Sequence, residues 1–139
     1  MPHILATPLG RTGLAALTLL TLGGASAQAQ TGLAVSGDSL YTLNLATGTA
    51  TLVGSNGLPN DSLQGLAIAP NGSIFGTGQT GLLYSLSATT GAATLIGDTG
   101  RGDIEGLDFF GNTLVGTDNS FTTTFFSINT ATAAATDIT

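Results

Sequence analysis

The sequence predicts an all-β fold built from repeated four-stranded antiparallel units. The first observation is an internal repeat: LYTLNLATGTATLVG begins at Leu40, and LYSLSATTGAATLIG begins 43 residues later, at Leu83. The second is a regular series of turn signals between short apolar runs, which is typical of hairpins. The third is that no segment after residue 30 shows a convincing 3.6-residue apolar period, which a helix would require.

The chain begins with a segment of a different kind. Arg11 precedes the apolar run from Leu14 to Leu22, and Ala25-Ser26-Ala27 and Ala27-Gln28-Ala29 are small-residue cleavage sites. This is the plan of a secretory signal peptide, and the run is shorter than the roughly 20 residues that span a bilayer. We therefore expect residues 1–29 to be a signal peptide and the mature protein to be secreted or periplasmic.

The remaining residues divide into three units. A third copy, FFSINTATAAATDIT, starts at Phe125, and a second shared element begins at Leu63 and again at Ile104. One unit is therefore about 42 residues long, within the range of known repeat architectures. The repeats predict units at about 30–62, 63–103 and 104–139.

Within each unit the residues predict two hairpins, whose strands we name A to D in chain order. In the second unit, GLAIA and SIFGT flank Pro70-Asn71-Gly72, and Asn-Gly tolerates the positive φ of tight turns. The strands LYSLS and AATLIG flank a turn that closes at Gly91. Alternation places Tyr84 and Leu86 on one face and Leu83 on the other. Strands are expected to start near Gln64, Ser73, Leu82 and Ala92.

The other two units depart from this pattern. In the third unit, strands are expected near Ile104, Thr113, Thr124 and Ala134. There, Ala133 replaces the turn glycine of the earlier copies, Gly48 and Gly91, and Asp137 replaces Leu52 and Leu95. We therefore expect the third unit to be weaker or differently finished. The first unit is predicted to have three strands, because its opening segment, GLAVSG, fits strand B and no segment fits strand A.

The stretch GLAIAPNGSIFGTG…LLYSLSATTGAATLIG resembles the blades of exported bacterial β-propellers, broadly those of the kelch, NHL and YVTN repeats. The resemblance covers nearly all of the chain after residue 29. It implies antiparallel four-stranded blades and says little about activity, because propellers host unrelated functions. The predicted strands make about 2.75 blades in an open arc, whereas a ring needs at least about four blades. We expect a fragment of a larger propeller, or a protomer of an oligomeric ring, that self-associates through its open blade faces.

Composition excludes several functions. Beyond the predicted signal peptide there are eight acidic residues, one basic residue, Arg101, and no lysine, so nucleic acids and anionic membranes are poor partners. His3 is the single histidine, and the chain has no cysteine. Catalytic triads, thiol nucleophiles, Schiff-base lysines and histidine-bound zinc are thereby excluded from the mature chain, and a glycosidase-type carboxylate pair stays open.

Topology predicts where a site would lie, because the D–A loops between units and the B–C loops within units share one edge of a propeller. The candidate ligand-binding residues on that edge are Asp61, Asp98, Arg101 and Asp103 on D–A loops, and Asp118 on a B–C loop. Clustered carboxylates suit Ca²⁺, although the spacing is not that of an EF-hand, and a solvated acidic loop is the alternative. No other cofactor is expected: GTGQTG is followed by a strand, whereas the dinucleotide fingerprint needs a helix.

These observations favour an exported, non-enzymatic repeat protein that acts as a binding or structural surface, for a ligand that the sequence does not define. The alternative is a carbohydrate-active module, a lectin or a carboxylate glycosidase, within a larger propeller. The chain has no tryptophan, so only Tyr41, Tyr84 and the phenylalanines could stack on a sugar.

Overall fold

The computed structural model describes residues 31–119 and 124–138, so the predicted signal peptide lies outside the described residues. This part of the chain forms eleven strands. They are β1 (Thr31–Ser36), β2 (Ser39–Asn44), β3 (Thr49–Ser55), β4 (Leu63–Ile68), β5 (Ile74–Gly78), β6 (Leu82–Leu86), β7 (Ala93–Asp98), β8 (Ile104–Phe110), β9 (Thr113–Asp118), β10 (Phe125–Ile128) and β11 (Ala135–Asp137). Within the described ranges, no helix is long and apolar enough to cross a membrane.

The strands form three antiparallel sheets in which sequence neighbours pair. The first sheet is β1-β2-β3, the second is β4-β5-β6-β7 and the third is β8-β9-β10-β11. The predicted all-β fold is confirmed, as are three strands in the first unit and four in each of the others, among the residues described. Each strand of the second and third sheets starts within one residue of its predicted position, because the turn residues mark the boundaries clearly.

The turn between strands C and D has the same geometry in all three sheets. Its closing residue has a left-handed φ of 73° at Gly48, 77° at Gly91 and 66° at Ala133. The Ala133 amide donates to the carbonyl of Asn129 at 2.8 Å, as the Gly48 amide does to Asn44 at 2.7 Å. The alanine therefore leaves this turn unchanged, and the expectation of a differently finished third unit is wrong at this turn.

The second sheet lies between the other two and buries side chains on both sides. Leu83 belongs to an apolar cluster with Ile104 and Phe126 of the third sheet. Tyr84 and Leu86 belong to a second cluster with Leu40 of the first sheet. The predicted alternation along β6 is confirmed. Tyr84 and Leu86 lie on the side of the second sheet that is directed toward the first sheet. We call this side, and the equivalent side of each other sheet, the head face. The opposite side, which carries Leu83 in the second sheet, is the tail face.

Neighbouring sheets also meet at their outer strands. A Cβ atom on Gly54 of β3 would collide with the carbonyl oxygen of Thr90, in the C–D turn of the second sheet. A Cβ atom on Gly97 of β7 would lie 3.1 Å from the carbonyl oxygen of Thr132, in the corresponding turn of the third sheet. The C–D turns of the second and third sheets therefore each pack against a glycine of the preceding sheet. A larger residue in place of either glycine would collide with the turn or press closely on it.

Candidate functional site

The loops that connect one sheet to the next meet the B–C loops at one edge of the stack, which we call the loop edge (residues 56–62, 79–81, 98–103, 118, 119 and 124, which include the last residues of β7 and β9). Backbone hydrogen bonds join them in series. Gln79 N donates to Ser62 O at 3.2 Å, Asp103 N to Gln79 O at 3.1 Å, and Asn119 N to Asp103 O at 3.0 Å. The loops thus share one edge, as the topology predicts, and their backbone is held in fixed relative positions.

Asp61 is fixed on this edge by four hydrogen bonds. The hydroxyls of Thr80 and Tyr84 donate to its Oδ2 at 2.6 and 2.9 Å. The amides of Ser62 and Thr80 donate to its Oδ1 at 2.9 and 3.4 Å. The carboxylate therefore joins the loop before the second sheet to strand C of that sheet.

These contacts shift two pKa values in opposite directions. Partial burial works to raise the pKa of Asp61, but the hydrogen bonds from Thr80, Tyr84 and Ser62 outweigh it, so this pKa lies below its usual value. Burial, together with the adjacent carboxylate, raises the pKa of Tyr84 to about 12. A glycosidase acid needs a raised carboxyl pKa, so the shift at Asp61 has the wrong direction for that role.

Arg101 occupies a comparable place before the third sheet. Its guanidinium pairs with the carboxylate of Asp137 on β11 and lies over the ring of Phe126, 4.9 Å from the ring centroid. A guanidinium over an aromatic face is attracted by the ring quadrupole. Asp137, which interrupts the apolar pattern of the repeat, therefore has a structural partner, and Arg101 is largely engaged within the chain.

Tyr84 and Phe126 are equivalent residues, since each faces strand D at the same register: Tyr84 pairs with Leu95, and Phe126 with Asp137. In both sheets a charged side chain from the preceding loop contacts this aromatic residue. The tyrosine, which has a hydroxyl, meets a carboxylate, whereas the phenylalanine meets a cation on its face. Two of the five candidate residues thus connect a loop to a sheet.

The other candidates lie on the loop edge in separate local arrangements. Asp98 accepts a hydrogen bond from Gly100 N at 2.8 Å, which shapes the loop after β7. Asp118 accepts one from Thr124 N at 3.4 Å. Asp103 has a left-handed φ of 44° and lies beside Asn119, whose amide donates to it at 3.5 Å.

The carboxylates of this edge do not form a cation-binding cluster in the part of the chain that is described. Asn119 also donates to Glu105 at 3.1 Å, so its amide bridges Glu105 and Asp103. Among the described residues, no group of three or more histidine, cysteine, aspartate or glutamate side chains could hold a metal ion. Ca²⁺ binding therefore stays a prediction.

A hollow of about 260 Å³ opens beside Asp61 on the loop edge. Leu58, Pro59 and Leu82 form its apolar part, and Asn60, Asp61, Thr80 and Tyr84 its polar part. A larger hollow of about 410 Å³ lies near the C–D turn of the third sheet, lined by Asn112, Ser127 and Asn129 among others, with no ionisable side chain. The hollow at Asp61 is the better candidate, because it combines apolar surface with convergent polar groups.

Sequence reasoning missed the partners that give these residues their geometry. Thr80 and Asn119 are polar loop residues without a motif, and they contact their partners only after the loops come together. Tyr84 and Phe126 could have been found, because they occupy equivalent positions in the repeat and differ by a hydroxyl, which in Tyr84 donates to Asp61.

Comparison with solved structures finds a similar fold in a crystal structure from Bacteroides thetaiotaomicron, described as a structural genomics protein of unknown function. The TM-score is 0.61 at 14% sequence identity, over 77% of this chain and 29% of the other. The likeness concerns the fold alone, and this chain spans less than a third of that protein. No protein-family model and no curated protein matches the sequence.

Proposed function

We propose that this chain is an exported, non-enzymatic binding protein of the β-propeller type, whose loop edge carries the ligand site. The observation that carries the proposal is the hollow at Asp61, which lies on an edge whose loops are connected by backbone hydrogen bonds. A rigid concave surface with a few fixed polar groups is what small-ligand sites have in common. The stacked antiparallel sheets, and the fold shared with part of a longer protein, support the blade interpretation.

The ligand class that best suits this hollow is a neutral carbohydrate, so a lectin is the second candidate function. The apolar side chains of Leu58, Pro59 and Leu82 would cover the apolar face of a sugar ring. The side chain of Asn60, which also lines the hollow, would bond its hydroxyls. The acidic composition opposes an anionic ligand.

The binding test uses the mature chain on a glycan array, followed by calorimetry with any sugar retained. Asn60→Ala with Leu58→Ser should abolish binding, because the pair removes a polar and an apolar contact at the mouth of the hollow. The matched control, Asn112→Ala, alters the hollow at the other edge and should leave binding intact. Binding that survives the first variant and is lost in the control would contradict the assignment.

Cation binding is tested separately. If the acidic loops bind Ca²⁺, millimolar Ca²⁺ should raise the melting temperature by mass action, and Asp98→Asn with Asp103→Asn should remove the rise. An unchanged melting temperature would leave these residues as a solvated acidic loop.

Export is tested by sequencing the N-terminus of protein recovered outside the cytoplasm. The proposal expects it to begin at Gln28 or Gln30, the residues that follow the two small-residue cleavage sites. Exported protein that begins at Met1 would contradict signal cleavage.

A further inference from the structure

The tail face of the third sheet is apolar and uncovered by any described residue. Phe125 is 61% exposed there, and Phe110 is 83% exposed. A shallow hollow of about 210 Å³ lies between Val115, Thr117 and Phe125. Exposed apolar surface of this kind marks an interaction site on a soluble protein.

The repeat shows what such a face is built to contact. The register of the strands matches three tail-face positions of the second sheet to three of the third, and these pairs are Phe75 with Val115, Thr77 with Thr117, and Leu83 with Phe125. In the second sheet all three side chains are buried, at 9%, 0% and 0% exposure, and the third sheet covers them. The third sheet therefore repeats a surface that elsewhere in the chain is covered by another sheet.

The polar feature of that covered surface is also repeated. The hydroxyl of Thr77 donates to the carbonyl of Ile104 in the next sheet at 3.2 Å. Beside it, Gly65 lies so near the next sheet that an added Cβ would be 3.0 Å from Cβ of Leu107. The third sheet has Thr117 and Gly106 at these two positions, paired across β8 and β9 as Gly65 and Thr77 are across β4 and β5.

The opposite end of the stack has the complementary face. Tyr41 and Leu43 on the first sheet correspond to Tyr84 and Leu86, which are buried against the preceding sheet. Tyr41 and Leu43 are only partly buried. The C–D turn of the first sheet is likewise uncovered, since a Cβ on Gly48 would meet no described atom within 4 Å.

We propose that a second copy of this chain docks head to tail, with the head face of its first sheet covering the tail face of the third sheet. This rests on the blade-type stacking of the proposed function. At both junctions inside the chain, the tail face of one sheet packs against the head face of the next sheet. The two faces left uncovered by described residues are the head face of the first sheet and the tail face of the third sheet. Contacts of this type are heterologous, so they build rings or open chains instead of closed two-fold dimers.

One difference between the tail faces of the second and third sheets is compatible with docking of the first sheet of a second copy. Asp108 is located where the second sheet has Ala67, which packs against the third sheet through the inner strands β4 and β8. Residues 31–55 of the first sheet provide no strand equivalent to β8. None of the described residues of the docked first sheet would cover Asp108 as β8 covers Ala67, so a charged side chain at this position is compatible with this partner.

The experiment is sedimentation velocity on the mature chain at protein concentrations between about 1 and 100 μM. If the chains associate with a micromolar dissociation constant, the average mass of the sedimenting species rises across this range. Phe125→Lys removes the tail face and Leu43→Lys removes the head face, and each variant alone should stay monomeric. Mixed together they should form one-to-one pairs, because each variant keeps the face that the other lacks. Leu95→Lys is the control: Leu95 is 55% exposed on the outer strand of the second sheet, and this change should leave association as in the parent chain.

Three results would overturn the proposal. They are a parent chain that is monomeric at every concentration, a Leu43→Lys variant that still dimerises through its tail face, and association that both variants leave unchanged. Thr117→Arg and Ala34→Arg provide a second pair of variants should the first pair fail to fold by circular dichroism. A monomeric parent chain that binds its sugar would overturn the docking and leave the proposed function standing.

Discussion

Replacing Gly91 with alanine should destabilise the chain by about 2–5 kcal/mol, because one methyl group disturbs both the turn and the contact between two sheets. Gly91 has a φ of 77°, in the left-handed region. Its Cβ would lie 2.6 Å from the carbonyl oxygen of Gly54 and 2.8 Å from the carbonyl carbon. Both atoms belong to backbone in β3, so they cannot move aside as a flexible side chain would.

The equivalent change at Gly48 separates the two causes. Gly48 closes the same turn with a φ of 73°, and its Cβ would meet no described atom within 4 Å. Gly48→Ala should therefore cost only the left-handed backbone strain, about 1–2 kcal/mol. The difference between the variants, about 1–3 kcal/mol, measures the close approach of the first and second sheets. Ala133, an alanine at the third such turn with a φ of 66°, shows that this chain tolerates the strain itself.

The assay is urea unfolding followed by circular dichroism, with all variants at one low protein concentration so that association does not contribute. Hydrogen exchange on Gly91→Ala should show faster exchange in β1–β3, because the first sheet loses its packing partner. Equal losses of stability in the two variants, within about 0.5 kcal/mol, would refute the close contact between the sheets.

Three further predictions concern Asp61 and Arg101 of the loop edge and the aromatic partner of Asp61, Tyr84, and all are measured by urea unfolding. Tyr84→Phe should lose about 1–2 kcal/mol, whereas Tyr41→Phe, at the equivalent position of the first sheet, should lose little. Because the pKa of Tyr84 is raised from 10.0 to about 12, its stabilisation is complete below pH 10 and is lost toward pH 12. Tyr84→Phe should therefore show a weaker alkaline loss. Asp61 has a lowered pKa, so its stabilisation is present above about pH 4 and is lost in more acidic solution, and Asp61→Asn should flatten that acid limb. Arg101→Gln should cost about 1 kcal/mol, and high salt should reduce the difference, since both of its contacts are electrostatic; a difference that does not change with salt would contradict this account.

The strands could be predicted from the sequence because the repeat supplies the same evidence more than once. The Asn71-Gly72 pair and the closing residue Gly91 mark turns, and alternation along β6 assigns Leu83 and Tyr84 to opposite faces. The order in which the sheets cover one another does not follow from these local patterns. It depends on close approaches such as that of Gly54 to Thr90, which join residues of different units.

The shared edge of the connecting loops was predicted, whereas ligand binding by the candidate residues stays a prediction. Topology placed Asp61 and Arg101 on a shared edge, and the structure places them there. Their charges suggested ligand contacts, whereas each is largely engaged with an aromatic residue of its own chain. A sequence pattern shows which residues are charged, but a partner such as Thr80 becomes visible only when two loops come together.

The matching of Asp61 to Tyr84 and of Arg101 to Phe126 restricts how the units could be recombined. A second unit moved to the position of the third would keep an aromatic ring beneath the guanidinium, but its tyrosine hydroxyl would lose the carboxylate that accepts its hydrogen bond. The reverse exchange would place a phenylalanine where Asp61 now accepts from a hydroxyl, so that hydrogen bond would be lost. The second sheet is thus suited to the loop that precedes it, through the hydrogen bond from Tyr84 to Asp61. Duplication of a unit together with its preceding loop would keep such a pair, whereas exchange of the sheet alone would break it.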